Sequence, residues 1–158
     1  MKIVTATKKD LDVIVDLMIQ FKEYLSKFEP KDMLCFREVE KSHPKIRKSV
    51  LKEIMNPNGR FLVLKNDNEI IGFVYGSIEV YNHLVFKPLK RGVLQHLWVD
   101  KNYWGRGLSS KLKNHLFKWF KMKKCKYVVL YVLDRNPSHK IYKKWGFENL
   151  IETMVKKL

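Results

Sequence analysis

The sequence has few of the residues on which disulfide-bonded and metal-binding proteins depend. Only two cysteines, Cys35 and Cys125, occur in 158 residues, and they lie far apart without a pairing pattern. Two isolated cysteines favour a reducing compartment over a disulfide framework. The five histidines do not have the spacing of metal ligands, so we expect no metal site.

Long apolar runs are also missing. No stretch approaches the roughly 20 apolar residues that a helix needs to cross a bilayer. Near the N-terminus, Asp10, Asp12 and Asp16 interrupt the apolar residues that a secretory signal would require. The sequence therefore predicts a cytoplasmic protein without a membrane partner. With 46% hydrophobic residues and no linker or internal repeat, the chain is expected to form one domain over residues 1–158.

Acidic residues are scarce in the C-terminal part of the chain. Residues 101–158 hold 15 basic and 3 acidic residues, and the segment between Asp100 and Asp134 holds nine Lys or Arg and no acid. A surface with this charge attracts polyanions. Two classes of partner fit, a phosphorylated cofactor and nucleic acid.

Glycine is rare as well, yet two of the seven glycines, Gly105 and Gly107, share one turn. The turn follows an apolar, β-branched segment at 93–99, which is typical of a buried strand. It precedes residues 108–120, where leucines and aromatic residues recur at helical spacing with lysines between them. The first amides of a helix lack internal partners and face the positive end of its dipole. This strand, turn and helix are therefore suited to bind a phosphate.

A second strand and helix follow. Residues 127–133 are apolar and predict another buried strand, and Asn136 and Pro137 suit the N-cap and first position of a helix. That helix carries Tyr142 and should end at Gly146.

The rest of the chain continues the alternation of strands and helices. Its patterns predict strands near 2–6, 61–65 and 70–81, helices near 8–26 and 43–56 with Ser42 as an N-cap, connections at 27–42 and 82–92, and a closing strand near 152–157. Alternating elements around one mixed sheet indicate the α/β class.

Four short motifs occur in the C-terminal half of this pattern. They are Leu97-x-Val99, Gly105-Arg106-Gly107-Leu108-Ser109, Asn136-Pro137-Ser138 and Tyr142-Lys143-Lys144-Trp145-Gly146-Phe147. Together with the order of elements, these motifs resemble the GNAT superfamily of N-acetyltransferases. The resemblance implies a central mixed sheet of six to seven strands flanked by about four helices. It also implies acetyl-CoA as co-substrate and direct transfer of the acetyl group to an amine, without an acyl-enzyme and without a metal.

The resemblance further implies roles for individual residues. Tyr142 matches the tyrosine that protonates the leaving thiolate of coenzyme A. Backbone groups near Leu97 and Val99 would pair with the pantetheine amides, and the turn from Trp104 to Ser110 would hold the pyrophosphate. The cofactor-binding residues predicted in this way are Leu97, Trp98, Val99, Trp104, Gly105, Arg106, Gly107, Leu108, Ser109, Ser110 and Asn136.

The sequence departs from the family pattern at two places. Trp104 stands where relatives have Gln or Arg, and an indole cannot donate a charged hydrogen bond to pyrophosphate. The backbone amides from Gly105 to Ser110 would then make most of the hydrogen bonds to the pyrophosphate. The spacing from Asn136 to Tyr142 is one residue shorter than usual in the family, so the entry to this helix is expected to differ.

The base that deprotonates the attacking amine is less well marked. Val93 occupies the position at which histone-type relatives often have a glutamate base. Glu79 or His83, near the end of the third strand, acting through a water molecule, is the predicted base.

Strand alternation also predicts which side chains of the fourth strand share a face. It places Val93, Gln95, Leu97 and Val99 on one face and His96 on the other.

Three functions are compatible with the sequence. The first is acetyl transfer from acetyl-CoA to a small-molecule amine, or to a protein amine. The second is a catalytically inactive fold that binds coenzyme A, and the third is a nucleic-acid-binding module. Only the net charge supports nucleic-acid binding, and that function would leave the glycine turn and Tyr142 unexplained. We therefore do not expect a nucleic-acid partner. The oligomeric state stays open, a homodimer included.

Overall fold

The computed structural model describes residues 1–34, 43–156 and 158, and one five-stranded sheet lies at its centre. The strands are β1 (Lys2–Thr5), β2 (Gly59–Asn66), β3 (Glu69–His83), β4 (Phe86–Val99) and β5 (Tyr127–Leu130). They lie in the order β1-β2-β3-β4-β5. The first four are antiparallel to their neighbours, whereas β5 is parallel to β4. The sheet is therefore mixed, as predicted.

Helices connect the strands and cover the sheet. They are α1 (Leu11–Ser26), α2 (Lys31–Leu34), α3 (His43–Ile54), α4 (Leu108–Met122) and α5 (His139–Lys144), with short 3-10 turns at Lys8–Asp10 and Lys101–Tyr103. Four of these described helices are longer than one turn, in agreement with the predicted number. Ser42, the predicted N-cap of the second long helix, and Cys35 lie outside the described residues.

The core has two parts, one on each face of the sheet. On one face, α1 and α3 pack against β2 and β3, where Ile14 and Phe73 are fully buried. On the other face, Leu112 and Leu116 of α4 are fully buried. Each long helix buries one apolar stripe, as its sequence spacing predicts. The sheet is thus the middle layer, and β4 borders both halves of the core.

Three predictions about the strands were wrong. The described sheet has five strands instead of six to seven, since residues 152–156 form no strand. The strand predicted at 127–133 ends at Leu130, and β4 begins at Phe86, inside the predicted connection 82–92. A strand depends on its partner more than on its own residues. The long hairpin with β3 extends β4, whereas residues 131–133 have no partner strand in the described part of the chain.

In the described ranges, no helix has both the length and the apolar character needed to cross a membrane.

Candidate active site

A gap opens between β4 and β5 where the two strands stop pairing. Their parallel pairing joins Arg91–Leu94 to Tyr127–Leu130 and ends there. At the same level β4 contains a bulge, because Tyr75 of β3 is opposite His96 and Gly76 is opposite Leu94, which leaves Gln95 unpaired. A bulge bends its strand and ends regular pairing. The remainder of β4, from Gln95 to Val99, therefore runs beside an open gap instead of beside β5.

The bulge also corrects the predicted alternation of β4. Leu94, and not Val93, belongs to the α4-side core together with Leu97 and Val99. His96 lies on the opposite face, where its ring contacts Tyr75. One extra residue in the strand shifts the alternation by one position.

Backbone groups of β4 face the gap. The amide of Asp100 donates a 2.8 Å hydrogen bond to the oxygen of Ile71, so Asp100 directs its backbone groups to β3. Consecutive residues of a strand direct these groups to opposite sides. Leu97 and Val99 consequently present theirs to the gap, where an extended chain containing amides could pair with them. Trp98 contributes a buried side chain, only 4% exposed, to the other face.

The turn before α4 has the geometry of an anion-binding loop. Gly105 and Gly107 have φ angles of 76° and 70°, and Gly107 is the N-cap of α4. A Cβ atom added to either glycine would meet no atom within 4 Å, so the outer surface of the turn is open. Leu108 anchors the helix in the core, while the amides of Leu108, Ser109 and Ser110 lie in its first turn, where no carbonyl of the helix can accept from them. The positive end of the helix dipole faces the same place.

Trp104 does not extend from this turn as a free side chain. Its indole Nε1 donates a 2.7 Å hydrogen bond to the oxygen of Val99. Its ring packs edge-on against Trp98 and Tyr24, with centroids 5.7 and 5.4 Å apart. Trp104 nevertheless remains 46% exposed, and Arg106 is exposed as well.

Helix α5 carries Tyr142 to the same end of the sheet. The indole of Trp145 donates a 3.2 Å hydrogen bond to Ser110 Oγ, which joins α5 to the first turn of α4. Burial raises the pKa of the Tyr142 phenol above 10.0, a hydrogen bond with the Ser138 side chain opposes the rise, and nearby Tyr24 adds to it. The Tyr142 hydroxyl therefore keeps its proton at neutral pH.

Asn136 is placed differently from the sequence prediction. Ser138, and not Asn136, is the N-cap of α5. Asn136 is buried, and its Oδ1 accepts a 2.9 Å hydrogen bond from the amide of Ser138. It thus stabilises the turn that leads from β5 into α5.

The two predicted bases lie on the hairpin of β3 and β4. Glu79 Oε1 accepts hydrogen bonds from Arg91 Nε at 2.6 Å and pairs with Arg91 Nη2 at 2.5 Å. His83 is at the turn of the hairpin, where its Nδ1 accepts a 3.3 Å hydrogen bond from the amide of Val85. Neither residue lines the cavity described next, and their role as bases stays a prediction.

A cavity of about 520 Å³ lies between α1, α3 and β4, on the face opposite α4. Its wall includes Glu53 and His96, with His96 Nε2 3.3 Å from Glu53 Oε1. The sequence did not single out this pair as a site, because 43 residues separate its members. The only sequence signal was strand alternation, which placed His96 on the face opposite Leu97 and Val99. Among the described residues, no group of three or more His, Cys, Asp or Glu could hold a metal ion.

Several solved structures have this fold. The tetramutant of the BH1408 protein from Bacillus halodurans has 20% sequence identity and a TM-score of 0.86, with 100% of both chains covered. An acetyltransferase from Vibrio fischeri has 18% identity and a TM-score of 0.66 over 82% of this chain and 94% of its own. The aminoglycoside N-acetyltransferase AAC(6')-Iy in complex with CoA has 17% identity and a TM-score of 0.75 over 99% of this chain and 93% of its own. At these identities the similarity shows the fold alone.

Sequence comparison identifies the family. No curated protein sequence matches the chain. The sequence model of the "Acetyltransferase (GNAT) family" matches residues 21–147. The match includes the gap between β4 and β5, the glycine turn and Tyr142. The chain belongs to the GNAT family of acetyltransferases.

Proposed function

We propose that the protein is an N-acetyltransferase that moves the acetyl group of acetyl-CoA directly to the primary amine of a small molecule. The observation that carries this proposal is the gap between β4 and β5 beside the glycine turn at the start of α4. An extended arm with amides suits the backbone groups of Leu97 and the amide of Val99, which face the gap, while the Val99 oxygen accepts from Trp104. A pyrophosphate at one end of that arm suits the first turn of α4. The presence of CoA in the AAC(6')-Iy complex supports the same proposal.

The residues of the turn fit a phosphorylated ligand. Positive φ angles at Gly105 and Gly107 and the open space beside both glycines let a phosphate approach the backbone closely. The charge around the turn has the right sign, because residues between Asp100 and Asp134 include nine Lys or Arg and no acid. Backbone amides and the helix dipole can therefore hold the pyrophosphate without the cationic or amide side chain that Trp104 replaces.

Tyr142 supplies the proton that the reaction needs at sulfur. Acetyl-CoA provides a thioester whose carbonyl carbon is open to attack by a neutral amine. As the new C–N bond forms and the C–S bond breaks, the Tyr142 hydroxyl donates its proton to the departing sulfur. Burial of Tyr142 keeps that proton in place before the reaction, since it raises the phenol pKa.

A calorimetric titration with acetyl-CoA at near-physiological salt tests the proposal, with ATP as a control polyanion. We expect tight binding of acetyl-CoA and much weaker binding of ATP, because only acetyl-CoA carries an arm for the gap. Equal and salt-sensitive binding of both would show a general phosphate surface and would overturn the proposal. If the purified protein binds acetyl-CoA but acetylates no amine, it is the catalytically inactive fold that binds coenzyme A, the second function compatible with the sequence.

A further inference from the structure

The cavity between α1, α3 and β4 meets the gap at the point where β4 and β5 separate. Leu94 is the last residue of β4 paired with β5, Gln95 is the bulge, and Tyr131 is the first residue beyond β5. All three line the cavity. A small molecule in the cavity therefore reaches the gap from the face opposite α4, while the glycine turn approaches it from the other side. A volume of about 520 Å³ is in the range of small-molecule sites.

Glu53 places a carboxylate in the wall of this cavity. Its Oε1 accepts a 3.1 Å hydrogen bond from Ser49 Oγ and lies 3.3 Å from His96 Nε2. Its Oε2 is buried and has no hydrogen-bond partner among the described residues. A buried polar atom left without a partner is destabilising, and a charged donor that reaches it gains a strong interaction. An ammonium group in the cavity would therefore pair with the Glu53 carboxylate, and a rotation of that carboxylate would bring Oε2 to it.

His96 is held firmly beside this carboxylate. Its ring stacks on Tyr75 at 6.0 Å and contacts Phe21 edge-on at 6.1 Å. The side chains of Glu53 and His96 are each only 16% exposed. An imidazole fixed by packing and paired with a carboxylate is a common proton acceptor. The pair can therefore both bind an ammonium and take its proton.

The rest of the cavity wall indicates what else the amine carries. Met18, Ile46 and Val50 give the cavity apolar walls, and Lys22 and Lys45 line it as well. Apolar walls suit an aliphatic spacer. Lys45 lies in α3 about two turns before Glu53, so its charge disfavours a second ammonium and favours a carboxylate at the other end of the molecule.

We infer that Glu53 and His96 bind the ammonium of the acceptor and accept its proton, and that the acceptor is an aliphatic primary amine that also carries a carboxylate. This inference depends on the proposed acetyl transfer. In the reaction, one ammonium proton passes to the Glu53–His96 pair, and the freed nitrogen lone pair forms the C–N bond. The C–S bond breaks, and its electrons take the proton of Tyr142. The new amide nitrogen then loses its second proton, which returns through water to the Tyr142 phenolate, and the Glu53–His96 pair releases the first proton to solvent.

Three probes of one length test the inference, namely 5-aminopentanoate, pentylamine and 1,5-diaminopentane. Release of free thiol from acetyl-CoA is measured for each probe, together with direct calorimetric binding of the probe to the protein. We expect 5-aminopentanoate to bind at least about tenfold more tightly than the other two probes, and to be acetylated with the highest kcat/KM. Equal or tighter binding of the diamine would overturn the inference.

Variants assign the interaction to the named residues. Glu53→Gln keeps the shape of the side chain and its contacts but removes the charge, so kcat/KM for 5-aminopentanoate should fall at least about tenfold. The affinity for acetyl-CoA should not change. Glu69→Gln, a matched charge removal at the exposed start of β3, should leave both quantities unchanged. Lys45→Met should weaken binding of 5-aminopentanoate and leave binding of pentylamine unaltered.

The two proposals can fail separately. If acetyl-CoA does not bind, the acetyl-transfer proposal fails, and calorimetry with the three probes still decides whether the cavity binds an amino acid. If acetyl-CoA binds but Glu53→Gln behaves as the parent protein does, the inference about Glu53 is wrong and the proposed function stands. Thermal unfolding of each variant shows whether a loss comes from misfolding.

Discussion

The indole of Trp104 donates a 2.7 Å hydrogen bond to the backbone oxygen of Val99, an atom that otherwise faces the gap between β4 and β5. The same ring packs against Trp98 and Tyr24. Trp104 thus joins the glycine turn to the end of β4 and to α1. This contact gives the tryptophan a structural partner at the position where the family pattern has Gln or Arg.

Replacement of Trp104 by Phe tests this structural role. Phe keeps aromatic packing and loses the donor, so the free energy of unfolding should fall by about 1 kcal/mol. Affinity for acetyl-CoA should change less than about threefold, because backbone amides make the predicted contacts. Urea denaturation and calorimetry measure the two effects. A large loss of affinity at unchanged stability would place the indole at the ligand.

Replacement of Gly107 by Ala tests the anion-binding turn. Gly107 has a φ of 70°, and no atom would lie within 4 Å of the added Cβ. The cost is therefore backbone strain alone, about 1 kcal/mol of unfolding free energy. If the turn holds the pyrophosphate, relaxation of this strain should move the amides and weaken acetyl-CoA binding several-fold in calorimetry.

Gly146 provides the matched control for Gly107. It has a φ of 84° and equally open surroundings, but it ends α5 instead of beginning α4. Gly146→Ala should lose similar stability and keep the affinity for acetyl-CoA. Equal losses of affinity in both variants would show that the effect of Gly107 is a general loss of stability, and would remove the evidence for the turn as the phosphate site.

The sequence predicted those parts of the site that depend on local structure. The turn at Gly105 and Gly107 and the first residues of α4 were predictable because backbone conformation, capping and one apolar stripe are local properties. The bulge at Gln95 was not, because it arises from the register between β4 and β3. Without the bulge, alternation assigned Val93 to a face that Leu94 occupies.

Features that depend on a distant partner were also predicted wrongly or not predicted. Residues 152–157 have the apolar content of a strand, yet residues 152–156 pair with no described strand. The contact of Glu53 with His96 joins α3 to β4 across 43 residues. Neither residue belongs to a local motif, so only the packing of α3 on the sheet reveals the pair.

Replacement of Tyr142 by Phe tests general-acid catalysis. Phe keeps the packing against Trp145 and removes the proton, so kcat should fall about 100-fold. The affinity for acetyl-CoA should not change. Because the folded pKa of Tyr142 lies above 10.0, the parent protein should keep its acid activity as pH rises to about 10 and lose it only as pH passes the raised pKa. The variant should lack this alkaline decline in kcat. An unchanged kcat would exclude Tyr142 as the acid.

The last prediction concerns the packing of Phe120 of α4 against Gly76 and Gly92 of the sheet. A Cβ added to Gly92 of β4 would lie 2.7 Å from the Cγ and Cδ2 atoms of Phe120, a side chain that is only 1% exposed. A Cβ at Gly76 of β3 would lie 2.7 Å from Cζ of the same ring. Two glycines on neighbouring strands thus make room for one aromatic ring. Gly92→Ala should therefore lower the free energy of unfolding by about 1–3 kcal/mol, measured by urea denaturation.

A second substitution separates this steric effect from the intrinsic cost of replacing a strand glycine. Phe120→Ala removes the Cγ and ring atoms that the new methyl group would touch, and alone it should be strongly destabilising because it leaves a cavity. In the double variant the methyl group occupies part of that cavity, so the total loss should be smaller than the sum of the two single losses. Additive losses would show that Gly92 does not contact Phe120. Since Phe120 fixes α4, and α4 begins at Gly107, Gly92→Ala should also weaken acetyl-CoA binding, and the double variant should recover part of it.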